Sequence, residues 1–171
     1  GDLPVAVSAM EPEFTHLPHL RSFERQPIVF LTVCTRRRRP LLVNSETHEE
    51  LRAIWTEASN SYGWFVGRYV LMPDHVHLFA RPALNARPLS RWVQTWKSLS
   101  ARRIAWSNAC EPPIWQRDYF DRFLRSADSY VKKWDYVRAN PQRAGLVAHP
   151  DDWPHGGMVS GVLRVRVARR V

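Results

Sequence analysis

Two histidines separated by a single residue, His75 and His77, carry the most evident chemistry in this chain. They stand in the stretch Met72-Pro73-Asp74-His75-Val76-His77-Leu78. In an extended strand, positions i and i+2 share a face, so the two imidazoles project side by side about 7 Å apart along the backbone. So placed they can close on one divalent cation, while Val76, Leu78 and Ala80 on the opposite face enter a core. Alone, the triplet serves equally as a hydrogen-bonded pair on a half-exposed strand. A second set lies far later, where Tyr136 and Asn140 are four apart and become neighbours on a helix. Two imidazoles and an amide oxygen give a divalent ion three protein ligands and leave positions open for phosphate oxygens. A tyrosine hydroxyl beside them can attack phosphorus, but with an ordinary pKa near ~10 it needs a cation or a base close by.

These residues need elements to hold them. Ile28 to Thr35 is strongly β-type and predicts a first strand. Thr47 with Glu50 reads as a capping box, and Leu51, Ile54, Trp55 and Ala58 follow at helical spacing, which predicts a helix over 48–61 that stops at Gly63. Trp64 to Leu71 and His75 to Arg81 predict two antiparallel strands around a tight turn at Met72 to Asp74, with the histidines on an inner strand. Ser90 is the expected cap of a second helix over 90–106, with Leu89, Trp92, Val93, Trp96, Leu99 and Arg103 on one face. A fourth strand is best placed between Tyr119 and Leu124. Ser126 or Asp128 caps a last helix that ends by Asn140, because Pro141 disfavours helical geometry in the residue before it. On that helix Ala127, Tyr130, Val131, Trp134 and Val137 form an apolar stripe, and Tyr136 and Asn140 face away from it beside Lys132 and Lys133. A tyrosine kept out of the stripe is free to serve chemistry, whereas Tyr119 and Tyr130 read as sheet and core residues.

The order strand, helix, strand, strand, helix, strand predicts an α+β fold with a ferredoxin-like β-α-β-β-α-β antiparallel sheet, helices on one face and an extra C-terminal helix. The expected organisation is an N-terminal arm over 1–24, one catalytic domain over 25–150, and a basic C-terminal tail over 151–171. Twenty-five Lys and Arg against sixteen Asp and Glu give a net charge of +9, which favours a polyanionic partner, nucleic acid first. Apolar runs are far shorter than the ~18 residues of a membrane span, so no membrane is expected. With only Cys34 and Cys110, neither a disulfide framework nor a cysteine zinc site is indicated, and a cytoplasmic setting follows as the default.

The segments MPDHVHL, WQRDYFDRFLRS, DYVRANPQRAGLV and DDWP together resemble the single-tyrosine HUH transposases of the insertion-sequence 200 type, and within them the REP-associated tyrosine transposases. The resemblance spans roughly residues 16 to 155, including the arm THLPHLRSF. It implies an HUH nuclease fold that cuts and rejoins single-stranded DNA beside imperfect palindromic hairpins. Carried over, His75 and His77 bind Mg²⁺ or Mn²⁺, Tyr136 forms a 5′-phosphotyrosine, and Asn140 stands where insertion-sequence relatives place a Gln as third ligand. DNA contacts are expected from Arg21, Arg36, Arg37, Arg38, Arg39, Lys97, Arg102, Arg103, Lys132 and Lys133. A monomer, located with the nucleoid in the cytoplasm, is expected over a helix-exchanged dimer. The rival readings are a non-cleaving hairpin-binding protein, an HUH replication initiator or relaxase, and an unrelated zinc hydrolase. Initiators typically place a lysine about a turn beyond the tyrosine, where Ala139 and Asn140 stand here, and relaxases usually add a third histidine.

Overall fold

A computed structural model describes residues 27–160; the expected N-terminal arm, with Arg21, and the tail beyond Ser160 lie outside the described residues. Five strands form one antiparallel sheet in the order β4-β1-β3-β2-β5. They are β1 (Ile28–Cys34), β2 (Trp64–Met72), β3 (His75–Pro82), β4 (Phe120–Leu124) and β5 (Gly156–Met158). Four helices accompany them: α1 (Ser45–Tyr62), α2 (Leu89–Ser107), α3 (Ala127–Arg138) and the single turn α4 (Asn140–Arg143). The first six elements reproduce the ferredoxin-like order, and the sheet and helices together make the expected α+β fold.

Because side chains alternate along a strand, the sheet separates two cores. Val29, Leu31, Val33, Val76, Leu78 and Ala80 pack beneath α1 and α2 with Trp55, Trp92 and Trp96. Ile28, Phe30, Val70, Met72 and Phe79 face the other way and pack beneath Tyr130 and Val137 of α3. The extra helix therefore does not join the first two; it covers the opposite face, the one that bears the histidines. Three layers result.

Several boundaries differ from expectation for local reasons. The cap of α1 is Asn44, whose side-chain oxygen accepts from the Thr47 amide at 2.8 Å, so the helix starts earlier and Thr47 lies buried inside its first turn. Gly63 does end it, in the left-handed conformation (φ 73°) that glycine adopts without steric cost. Ser90 does not cap α2; the helix begins after Pro88, without a side-chain cap. Its buried face runs through Trp92, Val93, Trp96, Ser100 and Ile104, while Leu99 is 52% exposed. Pro141 ends α3 as expected, but it also opens α4, so Asn140 is the first residue of a new turn. Residues 151–160, assigned from the sequence to a basic tail, instead contribute β5, which pairs with β2, and Trp153, whose indole donates to the Leu71 carbonyl at 2.9 Å. Their composition hides this, because a three-residue strand of Gly156, Gly157 and Met158 has no alternating pattern to read. Among the described residues no helix is long and apolar enough to cross a membrane.

The cap assignment yields a prediction. Asn44→Ala removes the bond to the Thr47 amide and should lower unfolding free energy by about 1 kcal/mol. Thr47→Val replaces a buried hydroxyl that has no hydrogen-bond partner and should be neutral or stabilising. Urea denaturation of the two variants decides which residue is the cap.

Candidate functional site

The strand β3 is central, flanked by β1 and β2, so both histidines are fixed from either side. Register places Thr32 of β1 opposite His77, with Val70 of β2 on its other flank, and sets Cys34 and Met72 beside His75. The two imidazoles converge, with Nε2 of His75 and Nε2 of His77 3.1 Å apart. Each ring is held at its far nitrogen. Nδ1 of His75 donates to the Asp74 carboxylate at 2.7 Å, and Nδ1 of His77 meets the Thr32 hydroxyl at 2.8 Å. Asp74, read from the sequence as a turn residue, thus also orients an imidazole, and Arg38 holds its second oxygen at 2.8 Å.

Burial sets the charge state of the pair. His77 is 8% exposed, and desolvation, joined by the positive fields of His75, Lys133, Arg143 and Arg38, pushes its pKa down to about 3. Burial also lowers that of His75, against the opposing pull of Asp74. Both rings are therefore neutral at physiological pH, the state in which an imidazole offers a lone pair. Two convergent Nε2 atoms, each backed by an oxygen partner at Nδ1, fit a divalent cation as the carboxylate-histidine-metal arrangement does. The residues present are thus suited to the expected metal.

Above this pair lies α3, folded back onto its own sheet through Phe79, whose ring meets Tyr130 at 5.0 Å and Trp134 at 6.1 Å. Ser126 caps the helix by accepting from the Ser129 amide at 3.1 Å. Tyr136 is 57% exposed while Tyr130 is buried, as the stripe requires. One lysine ties the nucleophile candidate to the histidines. Lys133 Nζ lies 5.1 Å from the Phe30 ring and 5.6 Å from the Tyr136 ring, and Phe30 is stacked on His77 at 5.5 Å. Arg143 also packs against this cluster, 3.9 Å from the Tyr136 ring centre, and donates to the Asn140 side-chain oxygen. Asn140 is therefore next to the cluster, with its oxygen engaged by Arg143.

The other basic candidates divide by what they touch. Lys97 donates to the carbonyls of Gln116 and Arg117 at 2.5 and 2.9 Å, and Arg103 pairs with Glu50 at 3.5 Å. Both sit on α2, on the sheet face away from the histidines, as does the exposed Arg102. Arg39 donates to the carbonyls of Glu111 and Pro113 at 3.1 and 2.6 Å, while Arg36 and Arg37 are exposed. Lys132 and Lys133 accompany Tyr136. Thr32, Phe30 and Arg143 were not singled out from the sequence. Pairing β1 against β3 in register identifies the first, and continuing the helical wheel past Pro141 identifies the last.

Residues 27–139, more than half of the chain, match the model of the family described as "Transposase IS200 like". A REP-associated tyrosine transposase of Escherichia coli (strain K12) is 27% identical over 137 residues, covering 79% of this chain and 78% of that protein. A solved structure of a REP-associated tyrosine transposase bound to a REP hairpin superposes with a TM-score of 0.62 at 22% identity, covering 76% of this chain and 75% of the other. That likeness establishes the shared fold.

A second histidine pair lies on the far side of the sheet. His48 Nε2 bonds the buried Tyr69 hydroxyl at 2.8 Å, Arg52 donates to the same oxygen at 3.2 Å, and the His155 ring stands 5.7 Å from that of His48. Burial lowers both histidine pKa values, helped at His48 by His155 and Arg52. An unfolded histidine takes up its proton near 6.5, whereas these two resist it, so below that pH the unfolded chain binds more protons. Their contribution to stability should be complete above about pH 6.5 and decline as the pH falls below it. Calorimetric midpoints at pH 7.5 and 5 should show the loss, and His48→Gln should flatten it.

Proposed function

The chain belongs to the IS200-like transposase family, and on that premise we propose that it is a metal-dependent single-stranded DNA endonuclease and strand transferase. It cuts beside imperfect palindromic hairpins through a 5′-phosphotyrosine intermediate. The observation that carries this reading is the joining of an exposed tyrosine, through Lys133 and Phe30, to two neutral and convergent imidazoles.

Each residue has a role in one balanced step. The Tyr136 hydroxyl oxygen attacks the scissile phosphorus, the bond from phosphorus to the 3′-oxygen breaks, and the phenolic proton passes to solvent. The departing strand keeps a 3′-hydroxyl after its oxygen is protonated, and the strand retained on Tyr136 is linked through its 5′-phosphate. Lys133 and Arg143 place two positive charges against the tyrosine ring, where the phosphoryl group gathers negative charge. His75 and His77 would hold Mg²⁺ or Mn²⁺, with Asn140 as third ligand once its oxygen is exchanged from Arg143. The ion, when bound, polarises the phosphate and neutralises charge on the leaving oxygen. Rejoining reverses the step, with a 3′-hydroxyl attacking the phosphotyrosine.

Hairpin DNA, the ligand of the structurally similar transposase, is the proposed substrate. The exposed arginines at the end of β1 and the N-terminal arm are candidate contacts to its backbone. The packing of α3 on its own sheet supports a reading in which Tyr136 serves the histidines of the same chain, with the monomer as the working unit.

Labelled hairpin DNA with single-stranded flanks, incubated with Mn²⁺, should give a covalent adduct that survives denaturing electrophoresis. Tyr136→Phe should abolish it, and His77→Ala should reduce it at least a hundredfold, as should chelation of the metal. Hairpin binding without any adduct would identify a non-cleaving binder instead. Thr32→Val should weaken Mn²⁺ binding by about 10- to 100-fold in titration calorimetry, since it removes the partner of the His77 ring.

A further inference from the structure

We propose that the groove between α3 and the edge strand β4 holds the segment of single-stranded DNA on the 3′ side of the scissile phosphate, the segment that stays on Tyr136. This rests on the phosphotyrosine reading above and adds where the retained strand runs.

The groove has a volume of about 700 Å³ and is lined by Arg122, Arg125, Ser129, Lys132, Lys133 and Tyr136, together with Phe123 and Leu124. Among the described residues its lining carries four cations and no carboxylate. Register fixes how it relates to the histidines. Arg122 lies opposite Phe30 and Phe120 lies opposite Thr32, so both share the face that bears His77. Adjacent strands are about 4.8 Å apart, which puts Phe120 two strands, or about 10 Å, from His77. Its ring is 54% exposed and meets Phe30 at 6.3 Å. A large aromatic on an edge strand, left open beside a row of cations, suits a polyanion with flat faces to stack. A duplex buries those faces; a single strand presents them.

The chemistry then selects which part of the strand. After attack, the 5′ segment departs with its 3′-hydroxyl, whereas the 3′ segment is anchored at Tyr136. Tyr136 stands at one end of the groove, which extends along α3 through Lys133, Lys132 and Ser129 toward Arg125. A chain tethered at that end and carrying one negative charge per phosphate lies along the cations. Arg122, Arg125 and Lys132 would bind phosphates, and Phe120 would stack the first base beyond the cut.

The test uses neither metal nor cleavage, so its failure is separable from failure of the phosphotyrosine chemistry, which the adduct assay reads. A 5′-phosphorylated, 3′-fluorescein-labelled dT10 mimics the retained segment, and fluorescence anisotropy measures its affinity. Phe120→Ala should weaken binding about fivefold or more, Phe120→Trp should restore it, and the pair Arg122→Ala with Arg125→Ala should weaken it and reduce its salt dependence. Arg91→Ala on α2 should leave it unchanged. The same variants should affect a 3′-phosphorylated dT10 much less. Equal affinity of wild type and variants for the 5′-phosphorylated strand, or equal losses with both strands, would overturn the assignment. Circular dichroism of the variants, all at exposed positions, establishes that they are folded.

Discussion

The whole structure turns on keeping His77 uncharged in a place where four cationic or potentially cationic groups bear on it. Burial accomplishes most of this, and the fields of His75, Lys133, Arg143 and Arg38 act in the same direction. The same cations that disfavour a proton on the ring favour an anion beside it, so one distribution of charge keeps the lone pair available and makes the site attractive to a phosphate. The cost is positional. The rings must be desolvated on a central strand, which demands a covering layer over a sheet face that would otherwise meet water, and α3 supplies that layer through Tyr130 and Val137. Covering the site and presenting the tyrosine are thus tasks of one helix.

Much of this was legible from the chain because strand and helix periods are unforgiving. Alternation along His75-Val76-His77-Leu78 fixed which residues faced the core, and the wheel of α3 separated Tyr136 from Tyr130, as the structure bears out. What periodicity does not convey is which face of the sheet a helix will choose, and α3 went to the side opposite α1 and α2. Nor does it convey cross-strand neighbours. Thr32 is an unremarkable β-type residue until the β1–β3 register sets it against His77. The start of α1 lies one turn earlier than a capping box at Thr47 implies: Asn44 accepts from the Thr47 amide, so Thr47 falls inside the helix that it was expected to cap.

The basic residues teach a related point about charge. Lys97, Arg39 and Arg103 count toward the net charge of +9, yet their side chains meet carbonyls and a carboxylate that brace loops and helices. A count of cations gives the sign of the long-range field and says nothing about which nitrogen atoms remain available for a phosphate. Availability is set by position: Arg122 on the short edge strand, Arg125 just after it and Lys132 on the outer side of α3 are exposed and line one groove.

The hydroxyl of Thr32 is chemically two-sided, since it can give a hydrogen or receive one. A consistent assignment without metal has Thr32 donating to Nδ1 of His77, whose Nε2–H donates to His75, which donates in turn to Asp74. With a cation between the Nε2 atoms, His77 would carry its hydrogen on Nδ1 and Thr32 would become the acceptor. Both arrangements leave every polar atom of the relay satisfied. The hydroxyl of Thr32 can therefore meet either tautomer of His77 without any change in the positions of the rings, with a rotating O–H as the moving part.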